Sequence, residues 1–148
     1  MIYPNIMGYY ATFLGSVELK RDTPPNVIRV LHCMVGNVIP RDLAPEECPA
    51  FWETCQRGEI MLRMNNAYPG SAYSVFMQVD ENYYLSFRCN FKNYDAEASR
   101  FIAWLAPWID TIGWIAQTVT EDDGVVLFYR TIDGIIREKY IDLEAALD

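Results

Sequence analysis

The sequence predicts an α+β domain: a mostly antiparallel sheet of about six to seven strands, with two or three helices packed on one face. Three observations carry this. Runs with period-two alternation recur along the chain, as half-buried strands require. Short acidic turns, two of them spelled Asp-Gly, join neighbouring runs and favour hairpins over crossovers. Between the runs lie stretches with apolar residues at helical spacing, punctuated by proline and glycine.

Residues 7–20 predict a long first strand, with Tyr9, Ala11, Phe13, Val17 and Leu19 on one side and Tyr10 out of phase. Gly15 interrupts that side and marks a bulge or a close backbone approach. Thr23-Pro24-Pro25 opens a helix, with Thr23 as N-cap and Pro24 at the first helical position. Val27, Leu31, Met34 and Val35 form its apolar stripe, and Gly36 ends it. Residues 37–44 read as irregular. Ala44-Pro45-Glu46-Glu47 starts a second helix, with carboxylates at the positive end of its dipole; Pro49 delays it and Gly58 closes it. Ile60, Leu62 and Met64 alternate with Met61 and Arg63, which predicts a short strand before the loop 65–70.

The stretch from Ala72 to Ile109 is the centre of the prediction. Tyr73, Val75, Met77 and Val79 alternate with Ala72, Ser74, Phe76 and Gln78. After a turn at Asp80-Glu81-Asn82, the apolar set Tyr83, Leu85, Phe87, Cys89 and Phe91 alternates with Tyr84, Ser86, Arg88 and Asn90. On this reading Tyr84, Arg88, Asn90 and Phe76 share the less apolar face. Phe101, Trp104, Leu105 and Trp108 then give a helix stripe suited to the apolar face, and Pro107 ends or kinks that helix. Strands over 112–119, 125–130 and 135–141 complete a meander, and 143–148 reads as a final helical turn.

The chain of 148 residues is the length of one domain, and half its residues are hydrophobic, so a buried core is expected throughout 1–148. Cys33, Cys48, Cys55 and Cys89 contain no C-x-x-C pair, and we expect reduced thiols in a cytoplasmic protein. No signal peptide is legible at Met1-Ile2-Tyr3-Pro4-Asn5, and the longest apolar run, 101–109, is too short to cross a bilayer. Met7-Gly8-Tyr9-Tyr10-Ala11-Thr12 has the spelling of a myristoylation signal, but at an internal position. The net charge is −8, and it is uneven: residues 1–79 carry six basic and seven acidic side chains, residues 80–148 six and thirteen. That balance opposes non-specific nucleic-acid binding, which needs lysine and arginine against phosphate.

Candidate chemistry is sparse. His32 is the only histidine, which excludes multi-histidine metal sites, and on a helix it does not face its neighbour Cys33. Cys48 and Cys55 lack the second ligand pair that a zinc site requires. Neither phosphate-binding glycine motif is present. No catalytic, metal or cofactor residue is therefore assigned. Glu121-Asp122-Asp123 reads either as a solvated hairpin turn or as a contact for a basic partner. Ten tyrosines and four tryptophans exceed the needs of a small core, and both types are favoured at protein interfaces. Tyr84 and Arg88 form the second candidate patch.

Gly8-Tyr9-Tyr10 followed by Gly15 resembles the opening of small uncharacterised phage- and bacterium-encoded proteins that begin G-Y-Y-x-x-x-x-G. Gly113-Trp114-Ile115, Glu121-Asp122-Asp123 and Asp133-Gly134 resemble their C-terminal pattern of a glycine-led strand, an acidic turn and an Asp-Gly hairpin. The resemblance implies a small α+β domain of phage or mobile-element origin, acting in the host cytoplasm. The expected function is a non-enzymatic, protein-binding inhibitor of a host defence system, anti-CRISPR-like in kind. Its partner would be a host protein with a basic surface, such as a nucleic-acid-binding effector, with no nucleic acid or membrane bound directly. Two alternatives stand beside it. One is a small-molecule binder or enzyme with a carboxylate and tyrosine pocket; the other is a self-assembling subunit, for instance a homodimer.

Overall fold

The computed structural model describes residues 10–55, 58–65, 72–92, 96–120 and 124–142. Six strands form one antiparallel sheet, and β1 (Tyr10–Leu19) lies at its centre. Helix α1 (Pro25–Met34) and the one-turn helix α2 (Phe51–Thr54) follow it. The hairpin β2 (Tyr73–Val79) and β3 (Asn82–Lys92), helix α3 (Glu97–Leu105), and the meander β4 (Gly113–Thr120), β5 (Gly124–Arg130) and β6 (Ile136–Asp142) complete the order. Across the sheet the strands run β2-β3-β1-β4-β5-β6, so β2 and β6 are its edges. The predicted class and its helices on one face are therefore present.

Alternation in β1 explains why it is central. Ala11, Phe13, Val17 and Leu19 are buried on one side, opposite Phe91, Cys89, Leu85 and Tyr83 of β3. Gly15 makes a close approach within an unbroken ladder: a β-carbon there would stand 2.5 Å from Phe87 Cζ and 2.6 Å from the Ile115 carbonyl oxygen. Helices α1 and α3 supply Val27, Val30, Leu31 and Met34, and Phe101, Ile102 and Leu105, to the same core. The Phe13 ring touches Phe87 at 4.6 Å between centroids, and meets Phe91, Phe101 and Phe128 edge-on at 6.1–6.2 Å. Rings from two other strands and one helix thus meet at a single residue.

Several local expectations are corrected. Pro24, not Thr23, occupies the N-cap of α1, because the Thr23 hydroxyl donates back to the Lys20 carbonyl at 2.5 Å. Gly36 ends the helix as expected, with φ of 96°. The second helix breaks into a 3-10 turn at Pro45–Glu47 and the short α2. Residues Gly58–Arg63 form a 3-10 helix in place of the expected strand, and Gly58 begins it. Met61 and Leu62, adjacent in sequence, are both buried there, which a period-two strand does not allow.

The central hairpin carries the correction with the widest consequence. Its turn has two residues, Asp80 and Glu81, with Val79 paired to Asn82, and Asp80 takes the left-handed conformation of a tight hairpin. Phe76 therefore pairs with Leu85 and lies in the core, not on the less apolar face. Tyr73, Val75, Met77 and Val79 pair with Arg88, Ser86, Tyr84 and Asn82 and turn away from the core. A one-residue difference in turn length exchanges the two faces of β2.

Candidate interaction surface

Tyr84 and Arg88 lie on the open face of β3, four residues apart, which along a strand is about 13 Å. Leu14 and Glu18 of β1 are their cross-strand neighbours on one side, and Tyr73 and Met77 of β2 on the other. Tyr73 is 72% exposed and Met77 47% exposed. Sequence reasoning missed these two because it placed β2 in the opposite phase. The turn gave no signal of its length, since Asp-Glu lacks the Asn-Gly or Asp-Gly spelling that marks a two-residue loop.

Tyr73, Val75, Met77, Tyr84 and Ser86 line a groove of about 240 Å³ on this face. The face continues across the sheet. A β-bulge between Trp114 and Ala116 shifts the β4 register, so Ala116 pairs with Phe128 of the core while Trp114 pairs with Tyr129 outside. Trp114 is 42% exposed as a result. Tyr10, at the start of β1, receives the Lys92 ammonium 5.1 Å from its ring centroid.

Glu121, Asp122 and Asp123 lie outside the described residues. The strand ends that carry them are described: the Thr120 hydroxyl donates to the Gly124 carbonyl at 3.1 Å and accepts from the Gly124 amide at 3.2 Å. Thr120 pairs with Ala11, at the end of the sheet where Tyr10 pairs with Lys92. The sheet therefore sets the strand ends flanking the acidic turn at the end of β3 away from Tyr84.

Another hollow, about 150 Å³, lies between α3 and the β5–β6 edge and is lined by Ser99, Ile102, Ala103, Phe128, Ile136 and Glu138. Ser99 donates to Glu138 across it at 2.6 Å. Neither of these two hollows gathers carboxylates with tyrosines, and both are smaller than the few hundred Å³ usual for ligand pockets. Among the described residues, no group of three or more His, Cys, Asp and Glu side chains is placed to hold a metal ion.

His32 packs edge-on against Phe76 at 4.8 Å, and its Nδ1 accepts from the Asn37 amide at 3.1 Å. That bond requires an unprotonated Nδ1, and burial lowers the imidazole pKa below its usual value, so both favour the neutral ring. Cys33 points into the core, away from it.

Cys33, Cys48 and Cys89 are free thiols; Cys33, Cys55 and Cys89 are buried and Cys48 is half-buried. Burial raises the pKa of Cys33, Cys48 and Cys89, and Glu47 and Glu46 add to the effect at Cys48. Native-state titration with a thiol reagent is expected to modify Cys48 first, slowly, and the other three only on unfolding. Prompt reaction of Cys33 or Cys89 in the folded protein would contradict this.

No protein-family model, curated protein or solved structure matches the chain. Among the described residues, no helix is long and apolar enough to cross a membrane.

Proposed function

We propose that this chain is a non-enzymatic protein-binding domain whose contact surface is the open face of its sheet, centred on Tyr84 and Arg88. One observation carries the reading. Among the described residues, the helices cover a single face of the sheet, and the other face displays Tyr73, Met77, Tyr84, Arg88 and Trp114, the residue types enriched at interfaces. A protein that used this sheet only as scaffold would gain solubility by carrying charge at Tyr73, Met77 and Trp114.

The more specific form is an inhibitor of a host defence protein. It rests on the net charge of −8, on the resemblance of the Gly8-Tyr9-Tyr10 opening to phage-encoded proteins, and on the acidic turn. The partner then has a basic surface that meets Glu121, Asp122 and Asp123, while Arg88 offers guanidinium donors to its backbone carbonyls or carboxylates.

The test is affinity capture from host lysate at moderate salt, followed by titration of whatever protein is retained in stoichiometric amount. Tyr84→Ala is expected to weaken that complex tenfold or more, a loss of about 1.4 kcal/mol or greater. Reversal of the three acids to lysine is expected to slow association and remove its salt dependence. Neither change should lower the melting temperature appreciably. A complex that survives both sets of substitutions would overturn the assignment of this face.

A further inference from the structure

The two edges of the sheet differ in a way that points to self-association. A strand edge exposes unpaired N–H and C=O groups, and monomeric proteins blunt it with charge, proline or a bulge. Edge β6, Ile-Arg-Glu-Lys-Tyr-Ile-Asp, is protected in this way by four charged residues out of seven. Edge β2, Tyr-Ser-Val-Phe-Met-Gln-Val, has no charge, no proline, no glycine and no register shift. Among the described residues, only β3 forms a ladder with it.

We propose that β2 is a dimerisation edge, on which the β2 of a second copy of this chain adds antiparallel to it and joins the two sheets into one. The occupant is identified by charge. The Tyr73 end of the strand lies beside Arg88, whereas the Val79 end runs into Asp80 and Glu81, all of them exposed; Arg21 pairs with Glu81 at 3.1 Å, which leaves Asp80 to give that end its net negative charge. Antiparallel pairing brings the basic end of one copy against the acidic end of the other. Parallel pairing would set each acidic turn against its own copy and is disfavoured. With the two-fold axis at Phe76, Tyr73 lies opposite Val79 of the second copy and Val75 opposite Met77. The groove over Tyr73, Val75, Met77 and Tyr84 then continues across the join.

Net charge selects the same place. A chain of charge −8 repels its own copies over most of its surface, so close approach requires a neutral strip, and β2 is one. Pairing along seven residues adds roughly six to eight ladder hydrogen bonds. The inference goes beyond the partner-binding reading and is independent of it, because edge pairing uses the backbone of β2 and leaves the open face uncovered.

Sedimentation velocity of the purified full chain over micromolar concentrations tests it. The expected result is a reversible, concentration-dependent rise to twice the monomer mass. Met77→Lys, at a position that is 47% exposed, should yield a monomer at every concentration with an unchanged far-ultraviolet spectrum. Val79→Lys, at an equally exposed position, serves if that variant misfolds. In an Arg21→Ala background, which removes the intrachain ion pair of Glu81, Glu81→Arg should raise the dimer dissociation constant at least tenfold, and adding Arg88→Glu should recover most of that loss. A wild-type chain that stays monomeric throughout would overturn the proposal. So would a dimer indifferent to Met77→Lys, or one weakened further by the double charge swap. Capture of a host protein by monomeric Val79→Lys, a position outside the proposed contact set, would leave the partner-binding reading standing alone.

Discussion

Phe13→Ala is expected to reduce the unfolding free energy by about 3–5 kcal/mol. The loss has a specific cause. Phe13 is fully buried at the middle of the central strand, and its ring contacts Phe87 and Phe91 of β3, Phe128 of β5 and Phe101 of α3. These surroundings belong to different elements, and α3 cannot move inward without drawing Phe101 and Trp104 away from Phe51, against which both pack. The cavity therefore closes only in part, and the cavity cost adds to the lost transfer energy. Domains of this size are stable by roughly 5–15 kcal/mol, so the variant should be poorly populated at elevated temperature. Phe13→Leu, which keeps most of the volume, should cost about 1.5 kcal/mol or less. Urea unfolding followed by tryptophan fluorescence measures both. A loss below about 1 kcal/mol for alanine would show that Phe13 is not the junction of the core.

Gly15→Ala is the second, and here two effects of opposite sign compete. Glycine inside a strand costs about 0.5–1 kcal/mol relative to alanine in conformational entropy, so the substitution would stabilise an open site. The site is closed. The new β-carbon would stand 2.5 Å from Phe87 Cζ, 2.6 Å from the Ile115 carbonyl oxygen and 2.8 Å from Ala116 Cβ. Phe87 is held under Phe13 and Phe101, and the Ile115 oxygen is backbone, so β1 and β4 must separate locally. Overpacking of this kind costs about 1–3 kcal/mol, and we expect a net destabilisation near the upper end. Phe87→Leu in the same chain should restore only a fraction, since two of the three clashes remain. Stabilisation by Gly15→Ala, or full rescue by Phe87→Leu, would refute this account of the strand spacing.

Much of the architecture could be read from residue order because it follows from local period and punctuation. Alternation located β1, β3 and the C-terminal meander within one to three residues at most ends, and the i, i+3, i+4, i+7 stripes located α1 and α3. The failures share a different cause. At 60–64, alternation of Ile60, Leu62 and Met64 matched a strand, but packing against α1 and β3 buried the adjacent Met61 and Leu62 instead. In β2 the more apolar set, Tyr73, Val75, Met77 and Val79, turns outward, because the register with β3 places Phe76 in the core.

The candidate surface divides along the same line. Tyr84 and Arg88 were legible because β3 has one apolar and one mixed face, and only one phase buries Leu85, Phe87 and Cys89. Tyr73 and Met77 were not, because their side depends on whether the hairpin turn holds two residues or three. Trp114 was not, because its exposure depends on a bulge against β5.

By itself, the order of residues determined the class, the sequence of most elements and the polarity of each well-patterned face, since these depend on contacts a few residues apart. Tertiary structure decided the strand order, the phase of β2, the bulge in β4 and the difference between the two sheet edges. Those depend on pairings between residues as distant as Tyr10 and Lys92 or Ala11 and Thr120. A local pattern cannot encode them, because the free energy that selects a register is gained only when both strands and the helices above them are in place.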